Sequence, residues 1–157
     1  MVATSVSKSR RPAAVVALIV VLAFLGISAA AGSSALLVPD WTPPNDWLDG
    51  VPVIDSWLVP GLVLLLVFGV GSLVATWGVW KRPTLGWLGW LERATGRHWS
   101  WAAALALGIG QVAWITLELV FLPEPSALQA VYGVVGLTLC ILAFVPGVRR
   151  DLRVPLP

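Results

Sequence analysis

The sequence predicts an all-α membrane protein, a four-helix bundle with a short amphipathic interfacial helix between the second and third spanning helices. Of the 157 residues, 58% are hydrophobic and only 11% are charged, whereas a soluble domain carries about 25% charged residues. Four apolar runs each reach the roughly 20 residues that a spanning helix needs. The basic residues fall only between or beyond these runs. We therefore expect residues 1–157 to form a single integral membrane domain.

Sorting of charge predicts the orientation of the chain. The ten Lys and Arg residues form four short stretches: Lys8, Arg10 and Arg11; Lys81 and Arg82; Arg93 and Arg97; and Arg149, Arg150 and Arg153. The segments on the opposite side carry only acids: Asp40, Asp46, Asp49, Asp55 and Glu124. Because cytoplasmic loops retain Lys and Arg, we expect a multi-pass protein of the bacterial cytoplasmic (plasma) membrane with both termini cytoplasmic. An even number of spans agrees with this topology.

The predicted spanning helices have recognisable ends. They cover residues 13–35, 56–80, 99–122 and 126–146. Asp55 and Ser56 can cap the second helix, with Pro60 tolerated in its first turn. The segment 123–125, Pro-Glu-Pro, permits only a tight reversal. The third and fourth helices are therefore predicted to form an antiparallel hairpin.

The first run also allows a second interpretation. Residues 8–11 resemble the basic start of a signal peptide, and Ala29, Ala30 and Ala31 have small side chains at cleavage spacing. Cleavage would leave three spans and an external N-terminus. The apolar stretch continues to Val38, which is longer than a signal peptide needs and favours an uncleaved helix. Mass spectrometry of the mature N-terminus distinguishes the two.

The connection between the second and third spans, residues 84–95, is predicted to be an amphipathic helix. At about 100° per residue, its apolar side comprises Trp87, Leu88, Trp90, Leu91 and Ala94. Such a helix lies in the membrane interface or offers a docking surface to a protein partner. The sequence also predicts an aromatic belt of interface anchors at this boundary: Trp77, Trp80, Trp87, Trp90, Trp99 and Trp101.

Glu118 is the acid that breaks the sorting of charge. It lies roughly 6 Å inside the outer end of the third helix, and no span carries a Lys or Arg at that depth. The candidate ligand-binding residues around it are Glu118, Gln111, Trp114, Gln129, Tyr132, Asp55 and Trp57. One interpretation is a polar outer pocket for a ligand, a proton or a cation. The other is packing alone, in which Glu118 bonds to Tyr132 across the helices and Gln129 belongs to a capping box with Ser126.

Small residues inside the spans predict close helix contacts. We expect Gly69, Gly71, Gly108 and Gly110 to form the seam between the second and third helices, because small residues let helix backbones approach. Membrane lipids are the expected partners of this protein. A protein partner or a second copy would dock on the Gly-rich helix faces or on the 84–95 helix.

Several chemistries are disfavoured by residue content. His98 is the sole histidine and Cys140 the sole cysteine, so we expect no metal site, no cofactor and no catalytic residue. The basic stretches sit at membrane edges and form no face large enough for nucleic acid.

Three segments carry a resemblance to a known group: Leu58–Ser72, Val112–Glu118 and Leu128–Gly133. They resemble a group of small four-helix integral membrane proteins of bacteria, common in actinobacteria. The resemblance covers the last three helices and implies the same four spans, but it implies no activity and no site residue. Members of the group often carry Pro where this chain has Ala130, so the start of the fourth helix is expected to differ.

Three functions are consistent with these patterns. The first is a non-catalytic membrane protein that acts as an accessory or interaction subunit, or binds a lipid or small ligand in an outer pocket near Glu118. The second is a small transporter or channel in which Glu118 is the proton or cation site. The third is a membrane enzyme that acts on lipid.

Overall fold

The computed structural model describes residues 11–38, 40–49, 51, 54–122 and 124–155. Four of its helices are long and apolar enough to cross a membrane: α1 (Ala13–Leu37), α2 (Leu58–Lys81), α4 (Trp99–Phe121) and α5 (Ala127–Phe144). Two shorter helices are α3 (Gly89–Thr95) and α6 (Pro146–Asp151). The described part contains no strand, so the all-α prediction with four spanning helices is confirmed. Lys8, Arg10 and Pro123 lie outside the described residues.

Helix α1 buries one face and exposes the other. Its buried residues recur at intervals of three and four, which places them on one side of a helix: Val15, Leu18, Leu22, Leu25 and Ala29. Large apolar side chains are exposed on the remaining surface, including Val20 at 60% and Ile27 at 65%. A helix that is apolar all round suits a lipid environment.

Helix α2 begins later than predicted and is not regular. Its first residue is Leu58, and no side chain caps it, so the capping role predicted for Asp55 and Ser56 is wrong. Pro60 does lie in the first turn, where its missing amide costs no helical hydrogen bond. Residues Leu64–Val70 form a π-helical segment in the middle of the span.

The four spanning helices share one apolar cluster. Leu22 of α1, Phe68 of α2, Leu107 of α4 and Leu139 of α5 all belong to it. The hairpin of α4 and α5 packs closely at Gly108, because a Cβ there would lie 2.9 Å from the sulfur of Cys140 and 3.0 Å from its backbone nitrogen. This close crossing fixes the rotation of α4 against α5 and therefore the faces that carry Glu118 and Gln129.

The predicted glycine seam between α2 and α4 is only half correct. Gly71 and Gly110 do lie between these helices, against Leu107 and Phe68 respectively. Gly69 instead faces Ala30 of α1, and Gly108 faces α5. Residues that are two positions apart in the sequence lie about 200° apart around a helix. The two glycines of each Gly-x-Gly pair therefore cannot face the same neighbouring helix.

The helix predicted at 84–95 is shorter in the structure. A single 3₁₀ turn, Gly86–Leu88, precedes α3, and Gly96 ends it with φ of 64° as its sequence position predicts. Trp87 and Trp90 are 74% and 61% exposed. The polar side of α3 also contacts the protein, because the Glu92 carboxylate accepts a hydrogen bond from the Trp99 backbone amide at 3.2 Å.

Candidate functional site

Glu118 sits in a polar cluster near the turn that joins α4 to α5. The indole nitrogen of Trp114, one turn earlier on α4, donates to the Glu118 carboxylate at 2.5 Å. Gln129, on α5, lies close to the same carboxylate. We call these three residues, Trp114, Glu118 and Gln129, the outer cluster. The outer cluster brings an indole donor from α4 and an amide side chain from α5 to one half-buried carboxylate.

Gln129 is itself held by the start of α5. Its side-chain oxygen accepts the Ser126 amide at 2.9 Å, and together the two residues form the predicted capping box. The side chain is 5% exposed. Because the box occupies the amide oxygen, only the NH₂ group is left to face Glu118. The helix cap therefore orients the outer cluster.

Gln111 lies two turns deeper on the same side of α4. It is 2% exposed, and its side-chain oxygen has no hydrogen-bond partner among the described residues. The hydroxyl of Ser72 on α2 is likewise buried without a partner within the described chain. Such oxygens cost free energy unless they bind a donor, so Gln111 remains a residue to test for ligand contact.

The other predicted pocket residues have different surroundings. Tyr132 packs its ring on Phe24 of α1, with the ring centroids 6.3 Å apart, and within the described residues it makes no hydrogen bond to Glu118. Asp55 lines a separate cavity of about 590 Å³ in the connection between α1 and α2. Trp57 is 8% exposed, and its indole nitrogen is unpartnered within the described residues.

The six predicted interface anchors divide into two groups. Trp77, Trp80, Trp87 and Trp90 are each at least 45% exposed. Trp99 and Trp101 are instead buried, at 4% and 8% exposure. The Trp99 indole donates to the Pro83 carbonyl, in the connection after α2, at 3.0 Å. The Trp101 indole donates to the Ala143 carbonyl of α5 at 2.7 Å, so both indoles make contacts inside the protein.

His98 holds the start of α4 in place. Its Nδ1 accepts the Ser100 amide, which is an N-cap interaction, and its Nε2 lies 3.1 Å from the Pro83 carbonyl. Glu92 approaches the same Nε2 at 3.8 Å. The histidine is 6% exposed. Its contacts serve the packing of this end of the molecule.

Two aromatic neighbours of the candidate residues were not predicted. Phe68 of α2 meets Trp114 edge to face, with centroids 5.9 Å apart, and Phe24 covers Tyr132. In an apolar helix every face carries large side chains, so the sequence offers no signal for which of them turns toward the site. Of the two rings, Phe68 directly contacts a member of the outer cluster.

The arrangement offers a carboxylate that is held, partly desolvated and flanked by aromatic rings. Such a group accepts hydrogen bonds from a hydroxyl or amine. No protein-family model, curated protein or solved structure matches this chain.

Proposed function

We propose that this chain is a non-catalytic multi-pass protein of the bacterial cytoplasmic membrane, an accessory subunit that recognises a lipid or small ligand at the outer cluster. The observation that carries this proposal is the Glu118 carboxylate, which is half buried in a spanning helix, accepts a hydrogen bond from Trp114 and lies close to Gln129. A polar group at membrane depth is costly unless it has partners. The acceptor capacity that this carboxylate still offers at membrane depth favours a binding role.

The carboxylate has acceptor capacity to spare. Two oxygens provide about four lone-pair sites, and Trp114 and Gln129 use only part of them. Leu117 and Leu119 lie about 100° to either side of Glu118 around α4 and are 54% and 55% exposed, so exposed apolar side chains flank the carboxylate on both sides. A ligand with a hydroxyl or ammonium group and an apolar body fits these surroundings.

The packing of the spanning helices favours ligand recognition over transport. Between the outer cluster and the opposite end of α4, where Trp99 lies, the helices enclose a buried apolar core that includes Leu22, Leu107 and Leu139. A proton or cation path needs polar groups or water along its length. The transporter alternative therefore depends on Gln111 and Ser72, whose buried oxygens lack partners within the described chain.

Fewer of the predicted docking positions are available to a protein partner than the sequence suggested. Gly69 and Gly108 are covered by neighbouring helices of the same chain. The exposed Trp87 and Trp90 beside α3 remain accessible. We therefore place partner docking on α3, with its tryptophans at the inner membrane interface.

Cysteine labelling tests the proposed orientation. In a Cys140→Ala background, Trp41→Cys and Trp87→Cys provide matched sites, since the native side chains are 67% and 74% exposed. With both termini cytoplasmic, a membrane-impermeant maleimide added to intact cells is expected to label position 41 only. Both positions should react after the cells are opened. Labelling of position 87 in intact cells would show that the proposed orientation is wrong.

Substitution of Glu118 tests the binding role. Glu118→Leu is expected to abolish retention of the ligand, and Glu118→Gln to weaken it about 10- to 100-fold, because a hydrogen bond to a charged group contributes about 1.5–3 kcal/mol. The measurement is native mass spectrometry of the full chain released from membranes, with bound mass as the readout. Glu124→Gln, an exposed acid of the outer loop, is the matched control and should keep the ligand.

The same variants separate the alternatives. Loss of pH-dependent ion flux in proteoliposomes on Glu118→Gln, with the protein still folded, would instead support transport. If Glu118→Leu retains the same bound mass as the parent, the outer cluster is not the ligand site.

A further inference from the structure

Four arginines meet at the end of the molecule that carries Trp99 and the C-terminal segment: Arg97, Arg149, Arg150 and Arg153. Two backbone hydrogen bonds join the segments concerned. The His98 amide donates to the Leu152 carbonyl at 2.8 Å, and the Val154 amide donates to the Gly96 carbonyl at 3.2 Å. A β-bridge pairs Arg97 with Arg153. Arginines from separate parts of the sequence are thereby fixed side by side.

These arginines line a cavity of about 880 Å³. Its charged lining residues are all basic: Arg97, Arg149, Arg150 and Arg153. The acids described at this end are engaged elsewhere, since Asp151 pairs with Arg82 and Glu92 accepts the Trp99 amide. The positive charge in the cavity therefore has no carboxylate partner among the described residues.

Arg97 is held in this position although its neighbours repel it. Its guanidinium lies 4.5 Å from the centroid of the Trp101 ring, in a cation–π contact. Partial burial lowers the pKa of Arg97, and the charges of Arg149 and Arg153 lower it further. A bound anion would relieve this repulsion.

We propose that this cavity, which we call the arginine cavity, binds the phosphate group of an anionic ligand, either a lipid headgroup or free phosphate. Guanidinium groups match phosphate oxygens through paired hydrogen bonds. A volume of about 880 Å³ is within the usual range for ligand pockets and exceeds what a phosphate ion needs. Basic pockets at the ends of spanning helices suit anionic headgroups. The arginine cavity is distinct from the outer cluster, because Glu118 lies near the opposite end of α4.

The test uses the full chain in a neutral detergent and three separate probes. These are short-chain phosphatidylglycerol, short-chain phosphatidylcholine and inorganic phosphate, each titrated with binding followed by microscale thermophoresis. We expect phosphatidylglycerol to bind at least about tenfold more tightly than phosphatidylcholine. If inorganic phosphate binds by itself and displaces phosphatidylglycerol at a similar concentration, the ligand of the cavity is the free anion. If it does neither, the ligand is the lipid headgroup.

Arginine variants assign the binding to the cavity. An arginine that faces the bound anionic group is expected to contribute about fivefold to the affinity, the size known for basic residues at anionic lipid surfaces. The double variant Arg149→Gln/Arg153→Gln should therefore weaken binding roughly 25-fold. Both side chains are exposed, so thermal unfolding should stay near that of the parent. Arg93→Gln, which removes an exposed arginine outside the cavity lining, is the matched control and should bind within about twofold of the parent.

A charge-preserving pair provides a second measurement. Arg149→Lys/Arg153→Lys keeps both positive charges but removes the paired donors, so we expect an intermediate loss of affinity. The proposal is overturned if the Gln double variant binds phosphatidylglycerol as tightly as the parent. It is also overturned if phosphatidylcholine binds equally well, or if neither anionic probe binds.

Discussion

Gly108→Leu is expected to destabilise the folded protein by about 3 kcal/mol or to prevent folding. A Cβ at this position already meets the Cys140 sulfur at 2.9 Å, and the Gly136 carbonyl oxygen and Cys140 nitrogen at 3.0 Å. Two of these three atoms are backbone, so relief requires α4 and α5 to separate. Overpacking of a close interface typically costs about 1–3 kcal/mol, and occasionally more.

The matched control for this variant is Gly110→Ala. The atoms nearest to its Cβ are those of the Phe68 ring, at 3.7 and 3.8 Å, which is ordinary contact. Replacing a helical glycine with alanine stabilises a helix by about 0.5–1 kcal/mol, so this variant should be neutral or slightly more stable. Unfolding by sodium dodecyl sulfate in mixed micelles, followed by circular dichroism, measures both. Equal stability of the two variants would show that α4 and α5 do not cross at Gly108.

Trp101→Ala is expected to have the second large effect, a loss of about 3–5 kcal/mol, as for other buried tryptophans. Its indole is 8% exposed and donates to the Ala143 carbonyl on α5 at 2.7 Å. The ring also meets Phe144 edge to face and supports Arg97. The substitution therefore removes contacts to α5 and to the arginine cavity at once.

Two further variants separate the causes of the Trp101 effect. Trp101→Phe keeps most of the ring but loses the N–H donor, so its cost should be only about 1–3 kcal/mol. Trp87→Ala removes an indole that is 74% exposed and should change stability by no more than about 0.5 kcal/mol. The same unfolding titration measures all three. A cost for Trp87→Ala equal to that for Trp101→Ala would contradict the burial of Trp101.

The spans could be predicted from the sequence because hydropathy and length report directly on a membrane-spanning helix. The ends of the helices were harder to predict. Gly96 and the capping box of Ser126 and Gln129 have strong local signals, and both are present. Asp55 does not cap α2, because a local capping pattern does not fix where the first helical turn forms. The π-helical segment Leu64–Val70 has no sequence signature in a uniformly apolar run.

The outer cluster was predictable in part. Trp114 and Glu118 are four residues apart, a spacing that brings side chains together on any helix, and the tight hairpin places Gln129 at a similar depth. The position of Tyr132 was not predictable, because its contact with Phe24 depends on how α5 rotates against α1. The arginine cavity was missed for the same reason. Its members were visible as basic stretches, but their convergence depends on the pairing of Arg97 with Arg153.

Native mass spectrometry of the unaltered chain, released directly from membranes, tests the central claim most directly. It reports bound lipid or small ligand, partner subunit and copy number in one spectrum. An accessory subunit with a recognition site is expected to carry a stoichiometric partner chain or a discrete bound ligand. A chain that is consistently released alone, at its bare mass, would contradict both the accessory role and the ligand site.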